Sequence, residues 1–258
     1  MRRLARTDFS RQARRVYSEH TVRDSLKQIA MCGWQRSASR GETVRVVPDA
    51  CSDIIWTGAQ LIVAGPDTHV MPQWVEEGCE MAAIRFAPGC APQMFAVPAT
   101  ALRNARPELV EFWGERARKL QAQLERARDV GCAQRLLEAA AEQQLMAAGP
   151  PEAWVQRVVQ RLSPGAPGVR SIAKLAAELG MTERQLLRRC NAAFGYGPKF
   201  LERVLRFQGF LGALHASSGL GFADLAQRCG YTDQAHLAHE TAELARATPT
   251  QLRSEAGV

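Results

Sequence analysis

The 258-residue chain is short of the features that mark a membrane, secreted or metal-dependent protein. No apolar run reaches the ~18 residues of a membrane-spanning helix, so no membrane span is expected. The start, "MRRLARTDFSRQARR", has arginines but no apolar stretch behind them, which excludes a secretory signal. Residues 1–15 read instead as a flexible basic arm, solvated, with DNA-phosphate contact as the sharper alternative. Seven cysteines are an odd set with no CxxC spacing. Free thiols and a reducing cytoplasm follow. Histidine is scarce: there are five, and only His20 and His69 lie in the strand-rich part of the chain. A cupin-type metal enzyme needs several histidines and a carboxylate, so neither a metal, a cofactor nor an enzymatic reaction is expected. Acidic residues are outnumbered, 26 against 33 Lys and Arg, and the net charge of +7 suits a polyanionic partner.

What is present divides the chain. Across 16–105 the pattern is short and β-branched. "ETVRVVPDACSDIIW", "QLIVAGPDTHVM" and "EMAAIRFAPGCAP" are runs stopped by Pro-Asp, Gly-Pro or Pro-Gly. Close-spaced strands with turn residues predict a small, cupin-like β-barrel or sandwich. From Pro107 the period changes. Trp113, Ala117, Leu120 and Leu124 recur at three- and four-residue steps, predicting a helix of about five turns with Pro107 in its first turn. A second helix is expected after Gly131 and a third near Glu152. The stretch 106–162 thus reads as a helical linker or dimerisation region, its Trp113–Leu124 seam either pairing two protomers, the reading favoured, or packing on the chain's own helices. "SPGAPG" at 163–168 breaks the chain, and 169–258 reads as helical throughout. The fold class is α+β.

The helical end holds a unit written twice. "LAAELGMTERQLLRR" begins at Leu175 and "LAQRCGYTDQAHLAH" at Leu225. Leu175, Gly180, Thr182, Glu183 and Leu187 match Leu225, Gly230, Thr232, Asp233 and Leu237. In the first copy Ser171 caps a short helix with Ile172, Leu175, Ala176 and Leu179 inside, and Gly180 ends it. Thr182 caps the next helix, where Leu186 and Cys190 face inward and Arg184, Gln185, Arg188 and Arg189 outward. In the second copy Phe222, Leu225, Ala226 and Cys229 form the first stripe, Gly230 ends that helix, Thr232 caps the next, and Leu237 and Leu244 point in. The register loosens there, since the inward partner of Leu237 is better taken as Leu186. Two short helices joined by a tight glycine turn, the second with a basic outer face, describe a helix-turn-helix. Between the copies "GPKFLERVLRFQGFLGALH" predicts a helix of about 18 residues, roughly 27 Å long. That length approaches the ~34 Å rise of one DNA turn.

The stretch from Ser171 to Arg253 resembles the DNA-binding domain of the arabinose-regulator (AraC/XylS) family of bacterial transcription regulators. The motifs that carry the resemblance are "LAAELGMTERQLLRR", "GYGPKFLERVLRFQ" and "GYTDQAHLAHET…TPTQLR". The upstream segments "VVPDACSDIIW", "VAGPDT" and "IRFAPGCAP" resemble the sensor-like domain of one subgroup. The resemblance implies a cytoplasmic regulator that binds double-stranded DNA, activates or represses, and contacts RNA polymerase. It places Thr182, Arg184, Gln185, Arg188 and Arg189 of the first unit, and Thr232, Gln234, Ala235, His236 and His239 of the second, at DNA. The chain departs from the pattern at His239, Thr241, Ala242, Glu243 and Arg246, the last standing where the family usually has glycine. Glu240 and Glu243 would repel phosphate if they faced it, so the second unit is expected to be the weaker reader. His236 and His239, three apart near Cys229, could ligate a metal, but polar residues meeting DNA are the better reading.

For the strand-rich domain, Trp34, Trp56 and Trp74, with His69 and Arg85, are the candidates for a small apolar or aromatic effector. The rival is a protein-interaction or thiol-redox module built on Cys51, Cys79 and Cys90. A small buried hydrophobe is the commoner role for cysteine.

Overall fold

The computed structural model describes residues 17–165, 171–216 and 219–256. The basic arm at 1–15 and the second half of the 163–168 break lie outside the described residues.

The β-branched runs become seven strands: β1 (Tyr17–His20), β2 (Ala30–Ser37), β3 (Glu42–Val46), β4 (Ser52–Trp56), β5 (Leu61–Ala64), β6 (Met71–Val75) and β7 (Glu80–Phe86). Five form an antiparallel sheet in the order β1-β2-β7-β4-β5, and β3 pairs with β6 as a separate ribbon. The central strands are buried on both sides, so alternation sorts their side chains between two cores. Ile54, Trp56, Ala82, Ile84 and Phe86 face one way, into a core shared with helices. Trp34, Ile55, Met81 and Ala83 face the other, against Val44 and Val75 of the ribbon. Asp53 and Arg85, paired across β4 and β7, also lie buried between the strands. Arg85 Nη2 donates to Asp53 Oδ2 at 3.1 Å, and Trp34 Nε1 donates to the same oxygen at 2.8 Å.

The helical core partner comes from α1 (Ala91–Phe95), α2 (Val110–Trp113), α3 (Glu115–Leu124) and α4 (Val130–Ala148). Two expectations fail here. The five-turn helix from Pro107 is two helices, broken at Gly114, whose φ is +52°. Pro107 is in neither. Its carbonyl accepts from Val63 N at 2.8 Å, and Leu109 N donates to Leu61 O at 2.8 Å, so this segment runs along the edge of β5. Sheet-edge hydrogen bonds override the local helical signal. The seam of Trp113, Ala117, Leu120 and Leu124 is not a contact between protomers, because all four side chains are buried in the chain's own core against the sheet. The 3.6-residue period reports that an apolar face is covered; it does not say by what.

The remaining helices are α5 (Ala153–Leu162), α6 (Ile172–Glu178), α7 (Glu183–Phe194), α8 (Pro198–Ala216), α9 (Phe222–Arg228), α10 (Gln234–Ala245) and α11 (Pro249–Ala256). Val155, Val158 and Leu162 of α5 share a core with α6, α7 and the first half of α8. The second half of α8 packs with α9, α10 and α11. The strand-rich part touches both cores: Ala50 enters the first, and Val47 and Val70 the second. Polar contacts reinforce the junction. Gln208 Nε2 of α8 donates to Pro48 O at 2.7 Å, Arg103 Nη1 donates to Gly195 O at 3.2 Å, and Arg45 pairs with Glu255 of α11 at 2.5 Å. Among the described residues no helix is long and apolar enough to cross a membrane.

Candidate nucleic-acid interface

The first unit folds as its caps dictate. Ser171 accepts from Lys174 N at 3.2 Å and starts α6. Gly180, with φ +65°, closes it; glycine takes that left-handed turn without the backbone strain a side chain would bring. Thr182 accepts from Gln185 N at 3.2 Å, and Gln185 Oε1 accepts from Thr182 N at 2.8 Å, a reciprocal capping box that starts α7. Leu186 and Cys190 are fully buried. Arg184, Gln185, Leu187, Arg188 and Arg189 are exposed.

The second unit differs by one residue. Gly230 takes the same left-handed turn, with φ +80°. The cap of α10, however, is Asp233 and not Thr232: Asp233 Oδ1 accepts from His236 N at 2.8 Å. Thr232 lies a step earlier, with its hydroxyl 3.2 Å from His236 Nδ1. From the caps onward the units are therefore related by 51 positions, not 50, which pairs buried Leu186 with buried Leu237 and Cys190 with Thr241. Thr232 and Asp233 are both good N-caps. Burial of Leu237 decides between them.

The outer faces of the two helices are unlike. Arg184 and Arg188 make no hydrogen bond or ion pair with any described residue and stand in solvent on α7. Arg189 is drawn aside, 3.8 Å from Glu152 and with its guanidinium 5.6 Å from the Trp154 ring. Gln185 and Thr182 are committed to the cap. On α10, Gln234, Ala235 and His239 are exposed and His236 is half-buried against Tyr231. Glu240 does not face outward. It is buried, and both its oxygens accept from Arg203 Nε of α8, at 2.9 and 3.1 Å. Arg203 also holds Glu243, which lies 3.2 Å from His239 Nε2. Glu240 is thus held away from phosphate, while Glu243 shares the same single guanidinium and stays exposed. What the second helix lacks is a basic side chain on its outer face.

Between the units α8 has 19 residues, about 28 Å at ~1.5 Å per residue. Two helix-turn-helix units on one rigid spacer, with arginines presented from the first reading helix, define a duplex-DNA-binding protein.

Comparison with known families agrees. A helix-turn-helix domain family matches residues 175–255, and a domain of unknown function (DUF6597) matches residues 18–108. The carboxy-terminal domain is a DNA-binding helix-turn-helix domain of the AraC/XylS type. Comparison with curated protein sequences gave no match. Among solved structures, the chain is similar to an apo single-site variant of ToxT from Vibrio cholerae strain SCE256, at 8% identity and TM-score 0.49, covering 87% of this chain and 97% of that one. It is also similar to ToxT from Vibrio cholerae O395, at 8% identity and TM-score 0.46, covering 95% and 100%. A third is wild-type ToxT from strain SCE256 bound to an unsaturated fatty acid, at 8% identity and TM-score 0.45, covering 94% and 97%.

The five candidate effector residues are not brought together. Trp34 and Arg85 are locked in the buried network with Asp53. His69 is half-buried on the loop before β6, its Nδ1 3.2 Å from the Thr68 hydroxyl. Trp56 and Trp74 both line an open cleft of about 790 Å³ between the β4–β5 turn, the β6–β7 turn and the α3–α4 loop. Met81, Leu124 and Val130 add apolar walls, and Glu76, Glu77, Glu80, Glu125 and Asp129 line it together with Arg128. The cysteines of the thiol reading are scattered in environment. Burial pushes the Cys90 thiol up to about 12 and Cys51 well above its usual value, and it also raises half-buried Cys79. A redox sensor needs the opposite, an accessible thiolate.

Proposed function

We propose that this regulator reads two adjacent major-groove segments with α7 and α10, α7 providing most of the affinity, and that a small molecule bound in the strand-rich part controls it. The observation that carries the DNA reading is the pair of exposed arginines, Arg184 and Arg188, near the start of the first reading helix, with no partner among the described residues. Thr182, Gln185 and Thr232 act there by shaping the caps; Arg189, Gln234, Ala235, His236 and His239 complete the surface. Cytoplasmic location and contact with RNA polymerase belong to the same reading. The sensor unit runs from the sheet through α4, and the DNA-binding unit from α5 onward, because those are the limits of the shared cores.

The effector site we favour is the cleft with Trp56 and Trp74. The exposed Trp74 indole and the apolar walls around it suit an aromatic or apolar ligand. Five carboxylates against one guanidinium disfavour an anion, so the ligand is neutral or cationic. The test of the DNA reading is binding of the full chain to a duplex selected from a random pool, measured from low to moderate salt. Affinity should fall steeply as salt rises, because each lysine or arginine at phosphate releases condensed counterions. Absence of any bound duplex, or affinity indifferent to salt, overturns it.

A further inference from the structure

Leu187 is one of three large apolar side chains exposed among the described residues, and it is 49% exposed. It lies on α7 between Arg184 and Arg188, three residues after one and one before the other, so a helix of 3.6 residues per turn puts all three on the same outer face. Its Cδ1 rests against Gly197, 2.8 Å from where a Cβ there would sit, so the side chain is braced and not free to fold away. The matching residue of α10, counted from the caps, is Ala238, smaller and half-buried.

We propose that Leu187 is a specificity-determining residue that contacts the 5-methyl group of a thymine in the major groove. The inference rests on the reading of α7 as a groove-binding helix. A leucine offers no hydrogen bond. Among the groups that base pairs present in the major groove, the thymine methyl is the apolar one. Set against any other base edge, Leu187 would take water from donors or acceptors and return nothing, which penalises those bases. The two arginines beside it supply the polar half of the same reading surface. The second unit, with Ala238 in that position, lacks the contact, so the two half-sites differ in sequence.

The experiment uses the full chain and the duplex it selects from a random pool. Each thymine is replaced in turn by uracil, which removes the methyl and leaves every hydrogen-bonding group. At one thymine in the α7 half-site, uracil should weaken wild-type binding about fourfold, the ratio expected for one buried methyl group. Leu187→Ala should bind the two duplexes equally. Leu187→Gln should shift the preference at that position toward adenine, whose N6 and N7 pair with an amide. Both changes are on the surface, and the melting temperature of each variant checks that the fold is kept. Wild type indifferent to uracil at every thymine overturns the proposal while leaving the DNA reading intact. So does a uracil penalty that persists in Leu187→Ala. Failure to select any duplex overturns both.

Discussion

At the scale of single residues, the two reading helices make different demands on their side chains. Arg188 has no partner within the described chain, so its guanidinium is available to a guanine edge, a contact worth about 1–3 kcal/mol. His239 is tied to Glu243, itself held by Arg203. Arg188→Ala should therefore lose discrimination between selected and random duplex more than it loses general affinity, and His239→Ala should do less of either. Equal or reversed losses in a binding titration would show that the two units are ranked wrongly. A second residue is set by burial. Asp49 lies beside Arg85, Nε to Oδ2 at 3.6 Å. Burial nevertheless raises its carboxyl to about 6, with Asp53 and Asp67 adding to the rise and Arg85 and the Cys51 backbone amide opposing it. The folded state then holds a proton that the unfolded state has released between the usual carboxylate value and about 6. Stability must fall as pH rises through that window. Asp49→Asn keeps an acceptor for the Cys51 amide and removes the charge. Its melting temperature relative to wild type should be higher at about pH 7.5 than at about pH 5. A pH-independent difference would mean that the charge is not strained.

At the scale of elements, the second helix-turn-helix unit carries two local irregularities that can be weighed. Its cap is Asp233, so Asp233→Ala should cost about 1 kcal/mol of unfolding free energy, while Thr232→Ala should cost a few tenths. If the costs are reversed in denaturant titrations, the one-residue shift between the units is wrong. The helix then ends at Arg246, which sits in the left-handed region with φ +49°. The family usually has glycine there, and the geometry gives the reason: a Cβ in that conformation costs about 1–2 kcal/mol. Arg246→Gly should raise stability by about 1 kcal/mol, less what the more flexible unfolded chain takes back. A loss of stability would point to packing by the arginine stem.

At the scale of the whole molecule, the junction between the strand-rich part and the DNA-binding helices is where regulation would act. It touches the end of α7 through Arg103 and Gly195, α8 through Gln208, and α11 through Glu255. The first reading helix, the spacer and the last helix are thus attached to the same face of the strand-rich part. A ligand in the Trp56–Trp74 cleft can change DNA affinity only by binding one arrangement of this junction better, and duplex must then change ligand affinity by the same factor. Titrating a cationic aromatic probe against the full chain, with and without selected duplex, should give equal and reciprocal shifts, and Trp74→Ala should remove both. Ligand binding that leaves duplex affinity unchanged would rule out the cleft as the control site.

Much of the DNA-binding end was decided locally. Ser171, Gly180 and Thr182 act through bonds to residues within a few positions, so caps, turn and inward faces were legible from spacing, and with them the class of protein. The β-branched runs stopped by Pro-Asp, Gly-Pro and Pro-Gly likewise announced short strands, because branching and turn residues are visible locally. Tertiary structure decided what depends on residues far apart in the chain. Pro107 leaves its expected helix because β5 offers backbone bonds. Trp113, Ala117, Leu120 and Leu124 are covered by the sheet and not by a partner. Arg203, 37 positions before Glu240, holds that carboxylate in the interior and settles that it does not face outward. Trp34 and Arg85 are taken by Asp53, while Trp56 and Trp74 line one cleft. Periodicity reveals that a face is apolar or charged; only the packed chain supplies the neighbour that occupies it.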